Sequence, residues 1–398
     1  MNAQNLRCRS DLELFEKLSA NATVKAANER LEKHADSGPS GTRRRLLATS
    51  VRLSPRMAPQ IARLSRECSE RLGLDIPLEL YVYASASLNA ACFKPEDGRL
   101  FIMFSSSLLE SFQDSELAFV MGHELGHHLY AHHDIPIGYL LKGKSPPSPA
   151  LALELFAWSR YAEISADRAG AHCAQNLEGV ARSLFKLASG LTNNTIEFSL
   201  EDFLRQVDEM QLTDAEPGQG APMEDWFSTH PFSPLRVKAL KHFHDSELAG
   251  GKATVDALEA DVQTLMSLME PSYIESKTPV AEVMRRLLFS GAVVVADADG
   301  TVSEAEIEVF EQFFGKESFS EKLNLERIKR GLAERIAQTK ELASHAQCLQ
   351  VVRDLCVIAR SDGEVVEAER LAVNAIATGL DVSESFVDRA LEFDSELD

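Results

Sequence analysis

The chain has 398 residues, a formal net charge of −20 at pH 7, 44% apolar residues and 26% charged ones. That length exceeds one ordinary core and predicts two or three domains of a folded, soluble protein rather than a disordered one. The charge argues against nucleic acid as a partner, because phosphate recognition needs a basic surface.

The opening residues MNAQNLRCRSDLELFEKL turn amphipathic and charged at once and do not read as a signal peptide. The most apolar window, ALALELFAW at 150–158, carries Glu154 and is about half the ~20 residues a spanning helix needs, so no membrane span is expected. Cys8, Cys68, Cys92, Cys173, Cys348 and Cys356 are scattered without a Cys-x-x-Cys pair, as expected of reduced thiols in a cytoplasmic protein.

In chain order, Leu12, Leu14, Phe15 and Leu18 give residues 10–34 a helical pattern that HADSGPSGTRRR breaks, so 1–50 reads as an N-terminal helix and flexible joint. A second helical pattern from Leu53 to Leu72 leads into DIPLELYVYASAS, which, like RLFIMF at 99–104, is strand-like. Asp114 is placed to cap the next helix, where Leu117, Met121, Leu125 and Leu129 step by four along a buried face. His123 and His127 lie on the opposite side. Another helix is expected from Ala150 to Gln175, and TDAEPGQGAPMED at 213–225 reads as a surface loop. Beyond Ala249 only helical patterns remain. The predicted organisation is thus 1–50, a mostly helical α+β domain with a small sheet over 51–248, a linker over 249–278 and an all-α domain over 279–398.

Within the central helix, GHELGHHLYAHHD at 122–134 contains His-Glu-x-x-His. One helical turn puts His123 and His127 on one face, able to reach a single zinc ion, with Glu124 between them as general base toward the attacking water. A catalytic zinc usually takes three protein ligands. His133 is one candidate, but the glycine that would turn the chain back is replaced by Tyr130, so the helix is expected to continue and carry His133 away. The other is a carboxylate on the next helix: in RYAEISAD, Glu163 and Asp167 stand one turn apart. Glu163 would bind the metal, Asp167 would accept the far N–H of a ligating histidine, and Arg160 would hold Glu163.

HELGH, RYAEISAD and STHPFSPLR at 228–236, with Asn89-Ala90 ahead of RLFIMF and His132, resemble the gluzincin metallopeptidases that include HtpX and the CAAX prenyl protease. The resemblance covers about 51–245 and implies a zincin-like fold. It assigns His123, His127 and Glu163 to one zinc ion, Glu124 to the general base and Asp167 to orienting a ligand. It also implies His230 as an oxyanion or water stabiliser, Arg236 as a brace for that loop and Asn89 as a substrate contact. Protein or peptide substrates follow, bound by main-chain pairing if RLFIMF is an open strand edge. The loop at 213–225, next to His230, is the candidate gate. Otherwise His128 and His132 read as packing or surface residues of the helix.

The tail repeats itself: ADADGTVSEAE at 296–306 and ARSDGEVVEAE at 359–369 align in register. As calcium loops both fail, since Val295 and Ile358 fall where the first carboxylate belongs and Arg360 at the third position. The segment resembles instead the TerB-like domain of tellurite-resistance proteins, which implies an all-helical fold that recruits a partner. Asp297, Asp299, Glu304 and Glu306 form a possible accessory acidic site, or else belong to tight turns with capping carboxylates. Three readings stay open: a zinc endopeptidase of protein quality control or stress response, a non-cleaving peptide-binding protein on the same fold, and a metal or stress sensor acting through the tail.

Overall fold

The computed structural model describes residues 3–35, 41–142, 147, 149–192, 196–213, 230–267, 269, 279–298, 300, 302, 307, 325–343, 345–360 and 365–392. The chain divides into two compact units, Met1–Asp208 with Phe227–Val255, and Glu209–Trp226 with Asp256–Asp398.

The first unit opens on two helices where the pattern suggested one, α1 (Arg9–Ala20) and α2 (Ala22–Ala35). Asn21 between them is extended, and its side chain accepts the Thr23 N–H, which starts the second helix. Leu18, Val24 and Ala27 pack against Leu155 and Trp158, so this segment belongs to the core of the unit. α3 (Thr42–Thr49), β1 (Val51–Leu53) and α4 (Pro59–Leu72) follow, α4 starting on a proline whose missing N–H costs a first helical turn nothing.

Three further strands, β2 (Leu78–Tyr83), β3 (Ala90–Glu96) and β4 (Arg99–Ser105), complete a sheet of order β1-β2-β4-β3. β2 and β4 are parallel and the other pairs antiparallel. Asp97 and Gly98, with φ of 51° and 69°, make the two-residue turn of the β3–β4 hairpin, a conformation in which glycine carries no Cβ penalty. RLFIMF is therefore an interior strand, so the condition for substrate pairing along it, an open edge, is not met. Its Leu100, Phe101, Ile102 and Phe104 are buried, as a strand flanked on both sides requires. The edges are β1 and β3, and β3 carries Pro95, a residue a central ladder rejects.

After α5 (Ser106–Ser111) comes α6 (Asp114–Leu129), capped by Glu116 accepting the Gln113 N–H at 2.7 Å rather than by Asp114. From Glu116 to Gly126 every residue but His123 is buried, so α6 is a central helix and its leucine stripe is only one of its packed faces. It does not continue past Tyr130. Ala131 takes a left-handed φ of 58°, and a short 3₁₀ turn, His132–Asp134, leads back. A glycine was thus unnecessary, because an alanine accepts this conformation at modest strain.

α7 (Ile137–Lys142) precedes the long α8 (Pro149–Ala174), then α9 (Leu177–Ser189), α10 (Leu200–Thr213) and α11 (Ser233–Asp245). α6 and α8 approach until side chains have no room. A Cβ on Gly122 would lie 2.7 Å from the Cys173 side chain, one on Gly126 2.9 Å from Ala169, and one on Gly170 2.6 Å from the Phe119 carbonyl oxygen. Those glycines bring the HELGH turn against the carboxylates of α8.

Within the stretch read as a linker lies α12 (Val255–Ser267). The second unit continues with α13 (Pro279–Ala296), α14 (Leu325–Leu342), α15 (His345–Ala359), α16 (Glu367–Gly379) and α17 (Glu384–Glu392) around a core that includes Leu287, Leu288, Leu349, Val352, Leu355 and Ile376. No strand occurs in it among the described residues. Nor, among them, does any helix in the chain have the length and apolarity to cross a membrane.

Candidate metal centre

Ligand atoms of His123, His127 and Glu163 all lie within 4.8 Å of one another at the α6–α8 contact. His123 Nε2 is 3.5 Å from Glu163 Oε2, His127 Nε2 is 3.4 Å from Oε1, and the two Nε2 atoms are 3.1 Å apart. Each histidine has its other ring nitrogen engaged. His123 Nδ1 donates to Asp167 Oδ1 at 2.9 Å, so its Nε2 presents a lone pair to the centre.

A divalent cation fits this set. Two imidazole nitrogens face each other at hydrogen-bond distance beside a buried carboxylate whose Oε2 accepts no hydrogen bond. A shared cation satisfies all three, and imidazole with carboxylate is a donor set that suits zinc. Glu163 and Asp167 are both held below the usual carboxylate range. For Glu163, burial works upward but the neighbouring His230, His123 and His127 outweigh it; for Asp167, burial is outweighed by Arg236 and His123. His127 is shifted upward, burial being outweighed by Glu163.

Arg236 of α11 makes two bonds to Asp167, at 2.8 and 2.6 Å, and its Nη2 lies 3.4 Å from Glu163 Oε2. It grips the carboxylates directly. Arg160, expected to hold Glu163, is buried on the same helix.

Glu124 is buried beside the ligands, and its charge, after burial, helps push the Cys92 thiol of β3 upward. The general-base candidate thus stands near the edge strand. Asn89, exposed at the head of that strand, has its N–H on Ser105 Oγ and its carbonyl on the Ser105 N–H. His230 is 63% exposed with Nε2 3.5 Å from Glu163 Oε1, at the rim. Beside it a cavity of about 380 Å³ is lined by Ile135, Pro136, Ile137, Tyr139 and Trp158 together with His127 and Glu163. The gate candidate, 213–225, lies outside the described residues beyond Thr213.

Sequence reasoning passed over two members of the site. His132, taken as a packing or surface residue of the helix, turns Nδ1 to His127 Nδ1 at 2.8 Å, and its Nε2 meets Asp11 Oδ2 at 3.0 Å. Its spacing after His123 was a signal; nothing in the local pattern of α1 marked Asp11.

Of the possible accessory acidic site, Asp297 alone lies among the described residues. Asp297 pairs with Lys329 at 2.7 Å, and its carbonyl accepts the Gly300 N–H, Gly300 having a φ of 86°. Asp299, Glu304 and Glu306 lie outside the described residues. In the second copy Glu369 accepts the Val366 N–H at 2.9 Å, capping α16.

Residues 55–143 and 146–244 match Peptidase family M48, and 285–392 match the tellurite resistance protein TerB. The chain is 30% identical over 181 residues to the plastoglobule-localized metallopeptidase 48, chloroplastic, of Arabidopsis thaliana, a match over 43% of this chain and 52% of that protein. It is 24% identical over 233 residues to a protease HtpX homolog of Polynucleobacter necessarius subsp. necessarius (strain STIR1), covering 49% of this chain and 77% of the relative. The chain thus spans about half the length of the chloroplast relative. No solved structure matches it. His123, His127, Glu163, Asp167, His230 and Arg236 all fall inside the first match, and the duplicated Asp-Gly turns inside the second. The chain therefore joins an HtpX-like domain of Peptidase family M48 to a TerB domain.

Proposed function

We propose that the protein is a zinc-dependent endopeptidase that hydrolyses peptide bonds of protein substrates. The observation that carries this is the convergence of His123, His127 and Glu163 at a buried point, each histidine offering Nε2 while its Nδ1 is engaged. When bound there, zinc would act as a Lewis acid toward the scissile carbonyl and as an acidifier of water. Glu124 takes the proton of the attacking water and returns it to the leaving amine. His230, at the rim, donates to the developing oxyanion. Arg236 and Asp167 keep His123 and Glu163 in register, because a carboxylate already locked by two hydrogen bonds cannot rotate away.

Substrate pairs with the edge strand β3, from Asn89 onward, by main-chain hydrogen bonds. The cavity, walled on one side by Ile135 to Tyr139 and Trp158, receives a side chain next to the scissile bond, giving a preference for residues that pack on that apolar wall. The work that fits such a reading of backbone is removal of unfolded chains under stress, in the cytoplasm, with the TerB domain recruiting the substrate or an adaptor.

The test pairs metal content with casein cleavage for the wild-type chain and Glu124→Gln. One zinc per chain in both, with cleavage lowered about 10²–10⁴-fold in the variant, is the expected result. Zinc in both without cleavage in either would favour a peptide-binding protein, and no zinc in either would end the proposal.

A further inference from the structure

The support of His127 comes from the other end of the sequence. Its Nδ1 and His132 Nδ1 stand 2.8 Å apart, and two imidazole nitrogens at that distance bond only if one carries the proton and the other a lone pair. Asp11 decides which. Its carboxylate accepts from His132 Nε2 at 3.0 Å, so His132 has its proton there and a lone pair at Nδ1. His127 must then be protonated at Nδ1, which leaves the lone pair on Nε2, where a cation needs it.

Every other partner of Asp11 is also a donor. Oδ2 accepts from Ser165 Oγ at 2.7 Å and Arg7 Nε at 2.8 Å; Oδ1 accepts from Trp158 Nε1 at 3.0 Å and Arg7 Nη2 at 3.2 Å. The side chain is wholly buried, so it is an anion caged by donors with no alternative arrangement. Burial pushes its carboxyl up, yet His132 and Arg7 outweigh that and hold it at about 2.

We propose that Asp11 is a positioning residue of the metal centre: acting through His132 it sets the tautomer of His127, so that helix α1 is a functional part of the site. This rests on His127 being a metal ligand. It adds a requirement that lies outside the matched peptidase segment, which begins at residue 55.

Asp11→Asn tests it sharply. The Oδ1 place faces two donors that cannot reverse, Trp158 Nε1 and Arg7 Nη2, against one, Arg7 Nε, at Oδ2, so the amide oxygen takes the Oδ1 place and the NH₂ turns toward His132 Nε2. The order of protons then reverses along the chain and His127 carries its proton on Nε2. In the full-length protein, zinc affinity would be measured by chelator competition, and the ¹⁵N shifts of His127 in the metal-free protein at alkaline pH. We expect affinity to fall about 10–100-fold and His127 Nδ1 to change from protonated to unprotonated. Leu64→Ala, a cavity in α4, serves as the control of comparable destabilisation and should change neither.

His132 provides a second route should Asp11→Asn fail to fold. His132→Gln can donate to Asp11 and accept from His127, so it should retain more zinc affinity than His132→Leu. Wild-type affinity with an unchanged tautomer in Asp11→Asn, an equal loss in Leu64→Ala, or equal losses in the two His132 variants would overturn the proposal. If the wild type takes up no zinc, the metal-centre reading fails by itself, and the tautomer comparison still decides whether Asp11 governs His127.

Discussion

Two regions of this chain offer acidic side chains at helical spacing, and they use them differently. In the peptidase domain Glu163 and Asp167 are buried and pulled toward ionisation by imidazoles and a guanidinium from other elements. In the TerB domain Asp297 is tied to the solvated Lys329, and Glu369 caps its own helix. Carboxylates become a site when several elements converge on them and water is excluded. A carboxylate paired with one solvated lysine, or capping a helix end, holds the local fold.

Removing the convergence should be costly in the first region. Arg236→Ala leaves Asp167 buried without its cation, and we expect a loss of about 3–5 kcal/mol in urea unfolding with weaker zinc uptake. Arg236→Lys, which cannot span both oxygens of Asp167, should recover only part of this. Next in size is Gly170→Ala. Its Cβ would meet the Phe119 carbonyl at 2.6 Å, and backbone on both sides leaves nothing flexible to give. A cost of about 1–3 kcal/mol is expected. Since the strain parts α6 from α8, zinc affinity should fall more than it does for a cavity of equal cost in the sheet.

The sequence carried the local part of this and lost the long-range part. His123, Glu124 and His127 share a helix turn, and Glu163 and Asp167 share another, so spacing alone aligned them. Arg236 was visible as a motif residue, but its grip on Asp167 depends on how α11 lies across α8. The end of α6 was misread because the usual breaker, glycine, is absent and Ala131 takes the left-handed conformation instead. With that turn missed, His132 fell on the wrong side of the helix and Asp11 had no reason to be noticed. RLFIMF showed a strand but not its neighbours, since a central and an edge strand differ in partners more than in composition.

Asp11 extends the comparison to acid. Its folded carboxyl, lowered from 3.8 to about 2, contributes stability that is present above pH 4 and lost as pH falls toward 2; by linkage this is about 2 kcal/mol. Unfolding measured from pH 6 down to pH 2 should show a steeper acid limb in the wild type than in Asp11→Asn. Parallel limbs would mean that the unfolded chain holds this carboxyl in the same way.

The smallest effect is expected where the sequence most suggested a second metal site. The Asp297–Lys329 pair is exposed on the lysine side at 43% and partly on the aspartate side at 19%, so solvent screens it and its loss should cost at most about 1 kcal/mol. Asp297→Asn should therefore unfold almost as the wild type does. Calorimetric titration with calcium or zinc should give the same stoichiometry for both proteins, because a carboxylate already neutralised by an ammonium has little to offer a cation. A missing equivalent of metal in the variant would reverse the comparison. It would mean that Lys329 yields its place to an ion, and that the turn at Gly300 is built for coordination as well as for chain reversal.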